Sequence, residues 1–145
     1  MKFTIRKFKP DDKHRIIKMM RVFYASDAVH TNGSEEIFCA DFDSCISESP
    51  YVDGFAVEAD EKIIGYTMIA KSFSTEFGKR CIWIEDLYIG EDFRGMGAGR
   101  AVMDFITKSY TDCIFRLEVE EDNKRATALY KSFGFDVLPY TEMKR

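Results

Sequence analysis

Near the start of the chain, Phe3 and Ile5 alternate with Lys2, Thr4 and Arg6, the period-two pattern of a half-buried strand. Asp11 then offers an N-cap to a helix in which Ile16, Met19, Met20, Phe23 and Tyr24 recur at helical spacing. From about Ser26 to Val52 the pattern is mixed and polar, and a second helix is expected around Ile37 to Cys45 between irregular segments. Within that stretch Asn32-Gly33-Ser34 reads as a turn. Two apolar runs, Phe55 to Ala59 and Ile63 to Ala70, are separated only by Asp60-Glu61-Lys62 and read as a hairpin. A third run covers Cys81 to Ile89. Ala98 to Tyr110 carries Val102, Phe105 and Ile106 on one helical face, and Phe115 to Val119 returns to strand. Asp122 or Asn123 can cap a last helix in which Ala126, Leu129, Tyr130 and Phe133 share a face and which Gly134 ends. Phe135 to Met143 closes the chain in extended form.

This order predicts an α/β (α+β mixed sheet) fold: a central mixed sheet of about six or seven strands with helices on both faces, mostly antiparallel in its first half. The segments 81–89 and 114–119 flank the helix at 98–110, so they should lie parallel, with the strand-to-helix loop at the carboxyl edge of the sheet. Ligands of open α/β sheets sit at that edge. The 145 residues suit one domain, 1–145. Hydrophobic residues at 46% and charged residues at 32%, with 13 Phe and 7 Tyr, exclude disorder.

The formal net charge of −4 and the lack of any Lys/Arg run longer than two remove the electrostatic footprint of a nucleic-acid binder and favour a small cationic partner. No apolar stretch approaches the ~20 residues a membrane span needs, and the start MKFTIRKFKPDD lacks a signal-peptide core. No membrane partner and a cytoplasmic location are therefore expected. Cys39, Cys45, Cys81 and Cys113 never form Cys-x-x-Cys, and they read as structural thiols with no metal or disulfide role. His14 and His30 show no triad or metal spacing.

The chemistry concentrates in Phe93-Arg94-Gly95-Met96-Gly97-Ala98-Gly99-Arg100, three glycines in five residues between a strand and an amphipathic helix. Glycines let backbone amides approach an anion, and the helix start adds unpaired N–H groups and a partial positive charge, so a di- or triphosphate fits. The pattern is neither a Walker loop nor the dinucleotide fingerprint, and a flexible turn ahead of a surface helix could read the same way.

Arg94-Gly95-x-Gly97-x-Gly99 resembles the Arg/Gln-x-x-Gly-x-Gly/Ala signature of the GNAT superfamily of N-acetyltransferases. Glu85-Asp86-Leu87-Tyr88-Ile89 before it, and Leu117-Glu118-Val119, Asn123, Ala126, Leu129-Tyr130 and Gly134-Phe135 after it, follow that family's order and spacing. The resemblance spans roughly residues 55–138. The Glu-Asp pair and the aromatic-rich strand resemble the diamine acetyltransferase branch.

The resemblance implies an acetyl-CoA-dependent N-acetyltransferase with coenzyme A as cosubstrate, no metal, a small polyamine-like or other primary amine as acceptor, and room for a homodimer. Leu87, Tyr88 and Ile89 would offer strand backbone groups to the pantetheine and acetyl carbonyl, one amide acting as oxyanion donor. Amides of Gly95, Met96, Gly97, Ala98, Gly99 and Arg100 would hold the pyrophosphate, with charge from Arg94 and Arg100 and a contact from Asn123. Tyr130 stands at the family's general-acid position. Glu85 is the candidate base, through a water, since strand alternation sends it to the face of Leu87 and away from Asp86. An apolar surrounding should raise its pKa. Two other readings stay open: a protein N-terminal or lysine acetyltransferase, and a non-catalytic acyl-CoA-binding module.

Overall fold

A computed structural model describes residues 1–31 and 33–145, so the turn expected at Asn32 lies outside the described residues. The elements are β1 (Thr4–Lys7), α1 (Lys13–Tyr24), α2 (Glu35–Ile46), β2 (Val52–Ala59), β3 (Lys62–Ser74), β4 (Lys79–Ile89), α3 (Ala98–Ser109), β5 (Cys113–Leu117) and α4 (Lys124–Ser132). They form one mixed sheet of order β1-β2-β3-β4-β5, antiparallel through β4 and parallel between β4 and β5. Among the described residues the sheet has five strands. The expected six or seven counted Phe135 to Met143, which runs without strand pairing and leaves Val137 84% exposed.

Local chemistry accounts for most boundaries. Asp60 and Glu61 form a two-residue turn with φ of 49° and 62°, the left-handed pair that matches the twist of a tight hairpin. Ser34 caps α2, its Oγ accepting from the Ile37 amide at 3.2 Å, and Glu35 and Glu36 fill the first turn where the helix dipole favours acids. The start of α1 differs from the expected Asp11 cap. Asp11 lies within a single 3-10 turn, Pro10 to Asp12, while buried Asp12 bonds Arg6 Nη1 at 2.8 Å, and Arg6 also pairs with Glu58. An ion pair to β1 thus competes successfully with a local cap.

Helices cover both faces. Ile16, Ile17 and Met20 of α1 and Phe38 and Phe42 of α2 pack with Phe8, Ala56, Tyr66 and Met68 on one side. Val102, Met103 and Ile106 of α3 pack with Val57, Ile69, Ile82 and Ile84 on the other. Close strand packing leaves no room for a side chain at Gly65, where a Cβ would meet the Tyr88 carbonyl oxygen at 2.3 Å. Gly65→Ala should therefore force β3 and β4 apart and cost about 1–3 kcal/mol, measurable as a lower urea midpoint with unchanged m-value.

Candidate active site

The site arises where β4 and β5 separate. β4 pairs with β3 over its whole length, but with β5 only from Arg80↔Cys113 to Ile84↔Leu117. In the β3 ladder Met68 faces Asp86 and Ile69 faces Ile84, so Glu85 is an extra residue, a β-bulge. The bulge reverses the side-chain phase: Ile82 and Ile84 lie on the α3 face before it, Leu87 and Ile89 after it. Simple alternation, which paired Glu85 with Leu87, does not run through this point. Beyond Ile84 the β5 side of β4 carries backbone groups with no strand partner.

At the end of β4 the chain passes through the glycine loop into α3. Gly95 and Gly97 adopt φ of 78° and 92°, and Gly97 is the N-cap of α3 with no side-chain cap. The first intrahelical bond is Ala101 N–H to the Gly97 carbonyl at 3.0 Å, which leaves the amides of Ala98, Gly99 and Arg100 free of helical partners. A Cβ at Gly97 would project into open space, so the left-handed backbone is what requires glycine there.

Across the cleft, Asn123 caps α4 by accepting from the Ala126 amide at 3.2 Å. The helix ends in a Schellman motif, with Gly134 N–H to the Lys131 carbonyl and Phe135 N–H to the Tyr130 carbonyl. Gly134 has φ of 87°. The accompanying apolar contact sets the Phe135 ring 6.0 Å from that of Tyr130, which fixes the tyrosine against the cleft. Burial raises the Tyr130 pKa.

A cavity of about 590 Å³ joins these elements. Of the residues expected from sequence, Leu87, Tyr88, Ile89, Arg94, Gly95, Gly97, Ala98, Gly99, Arg100, Asn123 and Tyr130 line it. Met96 is exposed outside it, and Glu85 does not reach its wall. Glu85 keeps contact with solvent; its pKa is raised by desolvation and then by the nearby carboxylates Glu142 and Asp41. Sequence reasoning missed Val22, Phe23, Ser26, Asp27 and Ala28, which wall the cavity from the end of α1, and Arg125 from α4.

It also missed the most buried acid. Asp86, 3% exposed, accepts from Tyr66 Oη at 2.8 Å and from Tyr24 Oη at 3.0 Å, while its carbonyl accepts from Thr67 Oγ1 at 2.7 Å. Burial pushes its carboxyl up to about 6, against the opposing pull of the two hydroxyls. An Asp between Ile84 and Leu87 in a strand signals a buried acid that needs donors, but the donors come from β3 and α1.

A family model described as the Acetyltransferase (GNAT) family matches residues 17–135. The chain belongs to the GNAT family. The resemblance read from the glycine loop and its flanking motifs is thereby established, and this enzyme is an acetyl-CoA-dependent N-acetyltransferase acting on an amine. The chain is 29% identical to thialysine N-epsilon-acetyltransferase of Bos taurus, with 95% of this chain and 86% of that protein covered. It is likewise 29% identical to the protein of that name in Sus scrofa, over 90% of this chain and 82% of the relative. A solved structure from Clostridium difficile 630, described as a possible acetyltransferase, shares the GNAT fold with a TM-score of 0.81 at 18% identity, covering 99% and 96% of the two chains.

The glycine loop of this GNAT enzyme fits the phosphates of coenzyme A: positive-φ glycines, free amides at the start of a twelve-residue helix and open space above Gly97 are what a polyanion needs. Among the described residues no cluster of His, Cys, Asp or Glu could hold a metal, the four cysteines are free, and no helix is long and apolar enough to cross a membrane.

The raised pKa of Asp86 has a defined consequence for stability. An acid that binds its proton more tightly when folded stabilises the fold below its ordinary pKa near 3.8, and that contribution is lost as pH rises through about 6. Asp86→Asn lacks this titration. Unfolding free energies of wild type minus variant should therefore fall by about 2–3 kcal/mol between pH 4 and pH 7. A flat difference across that range would show that Asp86 titrates as an ordinary carboxyl.

Proposed function

We propose that the enzyme acetylates a small primary amine of polyamine-like or lysine-like character by direct attack, with Glu85, through a water, as base and Tyr130 as acid. The whole of 1–145 would act as one N-acetyltransferase domain. The observation that carries this reading is the shared cavity, which puts unpaired β4 backbone, the glycine loop and the Tyr130 side chain on one wall system. Bound acetyl-CoA would supply the activated acyl group, with its pyrophosphate on the amides of Gly95 to Arg100.

The chain's own residues supply the rest. Backbone groups of Leu87, Tyr88 and Ile89, left without a β5 partner, can orient a pantetheine arm and donate to a developing oxyanion. Tyr130 Oη, held by the Phe135 contact and kept protonated by burial, can return a proton to the leaving thiolate. An alkylamine with a pKa near ~10 arrives charged. Glu85, with its pKa raised, suits removal of that proton near neutral pH. Glu85 is not among the residues that line the cavity, so a proton it took from the acceptor would have to pass through water.

Charge supports a cationic acceptor. Asp41, Glu85, Glu118 and Glu142 converge beside the bulge, and Glu118 is pushed up to about 7 chiefly by its hydrogen bond to Glu142. The thialysine acetyltransferases named above make a lysine-like side-chain amine a natural candidate. A screen of diamines, polyamines, thialysine, lysine and peptides, read by thiol release from acetyl-CoA, tests the reading. Turnover with free small amines and little with peptides is expected. Preference for peptides would move the acceptor to protein, and coenzyme A binding without thiol release would make the chain a binding module.

Tyr130→Phe keeps the ring and removes the hydroxyl, so melting should be unchanged while turnover falls ~10²-fold or more. Glu85→Gln should lower the neutral-pH rate and shift its profile to alkaline pH, where free amine is abundant. A raised acceptor KM with unchanged kcat would instead assign Glu85 to holding the cation, and superimposable profiles would remove it from the chemistry.

A further inference from the structure

Three arginines border the glycine loop, and they differ in what holds them. Arg94 Nε donates to the Ile89 carbonyl at 2.8 Å, and its guanidinium stands 5.8 Å from the centre of the Tyr88 ring. Arg100 Nη2 donates to Ser132 Oγ at 3.1 Å, with the guanidinium 5.2 Å from the Phe133 ring centre. Arg125, in the first turn of α4, is exposed, lines the cavity, and has no ion-pair or hydrogen-bond partner among the described residues. Its Nη2 lies 3.0 Å from where a Cβ on Gly95 would stand. Gly95 thus meets two demands, a positive φ and the close approach of a guanidinium.

We propose that Arg125 is the side-chain clamp on the pyrophosphate of coenzyme A, closing over Gly95 from the α4 side while the free amides of α3 hold the anion from below. The proposal rests on the reading of the glycine loop as the phosphate site and adds to it a residue that the loop motif does not contain. The argument is one of competition. Arg94 and Arg100 must break contacts with carbonyl, hydroxyl or ring to turn to a ligand, whereas Arg125 breaks none. Its planar fork matches two phosphate oxygens at once, and charge-assisted bonds of that kind are roughly twice as strong as neutral ones. The start of α3 on the other side adds its own partial positive charge, so a pyrophosphate seated between them is compensated from two directions.

The test is calorimetric binding of coenzyme A, of dephospho-coenzyme A, which lacks the 3′-phosphate, and, by competition, of pantetheine, which lacks all phosphates. Wild type, Arg125→Ala and Arg125→Lys are compared, with matched melting curves to establish folding. Arg125→Ala should bind coenzyme A about 10- to 100-fold more weakly. The same factor should appear with dephospho-coenzyme A and none with pantetheine. Arg125→Lys should recover part of the loss, because it restores charge without the fork.

Unchanged coenzyme A affinity in Arg125→Ala overturns the proposal. So does a loss confined to coenzyme A and absent with dephospho-coenzyme A, which would assign the guanidinium to the 3′-phosphate. An equal loss with pantetheine would reduce Arg125 to packing. A wild type that binds coenzyme A no better than pantetheine would overturn the phosphate reading of the loop itself, and the clamp with it. Retention of that preference in wild type, with no loss in the variant, removes the clamp alone.

Discussion

One unpaired residue, Glu85, governs the geometry of the site. Inserting it into β4 against β3 bends and twists the strand and reverses its alternation. Asp86 and Tyr88 thereby face α1 and α2, while Leu87 and Ile89 stay over α3. The register with β5 ends at Ile84↔Leu117, immediately before the extra residue. A backbone N–H or C=O that loses its ladder partner must find another, and those of β4 after the bulge open onto the cavity. The β5 register thus ends where the bulge begins, and the β4 backbone beyond it lines the cavity.

The turned-in carboxyl ties that strand to the rest of the fold. Tyr66 reaches Asp86 from β3 and Tyr24 reaches it from the last residue of α1, so the helix whose end walls the cavity is bonded directly to the strand that forms its floor. Tyr24 also packs against Phe23 and Phe38, and Phe23 against Tyr88. Removing one hydroxyl would leave a buried acceptor short of a donor, which makes the cluster a joint as much as a packing contact.

What was legible in the sequence was what local chemistry decides. The hairpin around Asp60 and Glu61, the glycine loop, the α4 cap, expected at Asp122 or Asn123 and made by Asn123, and the Gly134 stop each depend on residues within a few positions of one another, and each lies where expected except that Lys62 belongs to β3 and not to the turn. The bulge was not legible, because Ile84-Glu85-Asp86-Leu87 reads as plausible alternation and a register shift exists only between two strands. The same holds for the start of α1, whose N-cap is Asp12 and not Asp11, with its carboxylate held by Arg6 of β1 and making no cap bond. Phe135 to Met143 has the composition of a strand, but strand structure needs a neighbour's backbone, and composition supplies none. Arg125 is not legible in the sequence, because an arginine in a polar helix start is ordinarily solvated; only the fold brings it over Gly95.

Charges of opposite sign gather at two separate places, one lining the cavity and one outside its wall. At the end formed by the glycine loop stand the start of α3, Arg94, Arg100 and Arg125, a positive region with close-approach backbone. Beside the bulge stand Asp41, Glu85, Glu118 and Glu142, with Asp86 buried beneath them. The rise of Asp86 to about 6 comes first from burial, with Asp41 and Glu85 adding to it, and that of Glu118 to about 7 comes first from Glu142; like charges so close cannot all ionise cheaply, and that adds a repulsion. A cation arriving there would relieve it, and the same cation would be repelled at the loop. If the cosubstrate and a cationic acceptor bind as proposed, each would meet charge of the opposite sign at its own place.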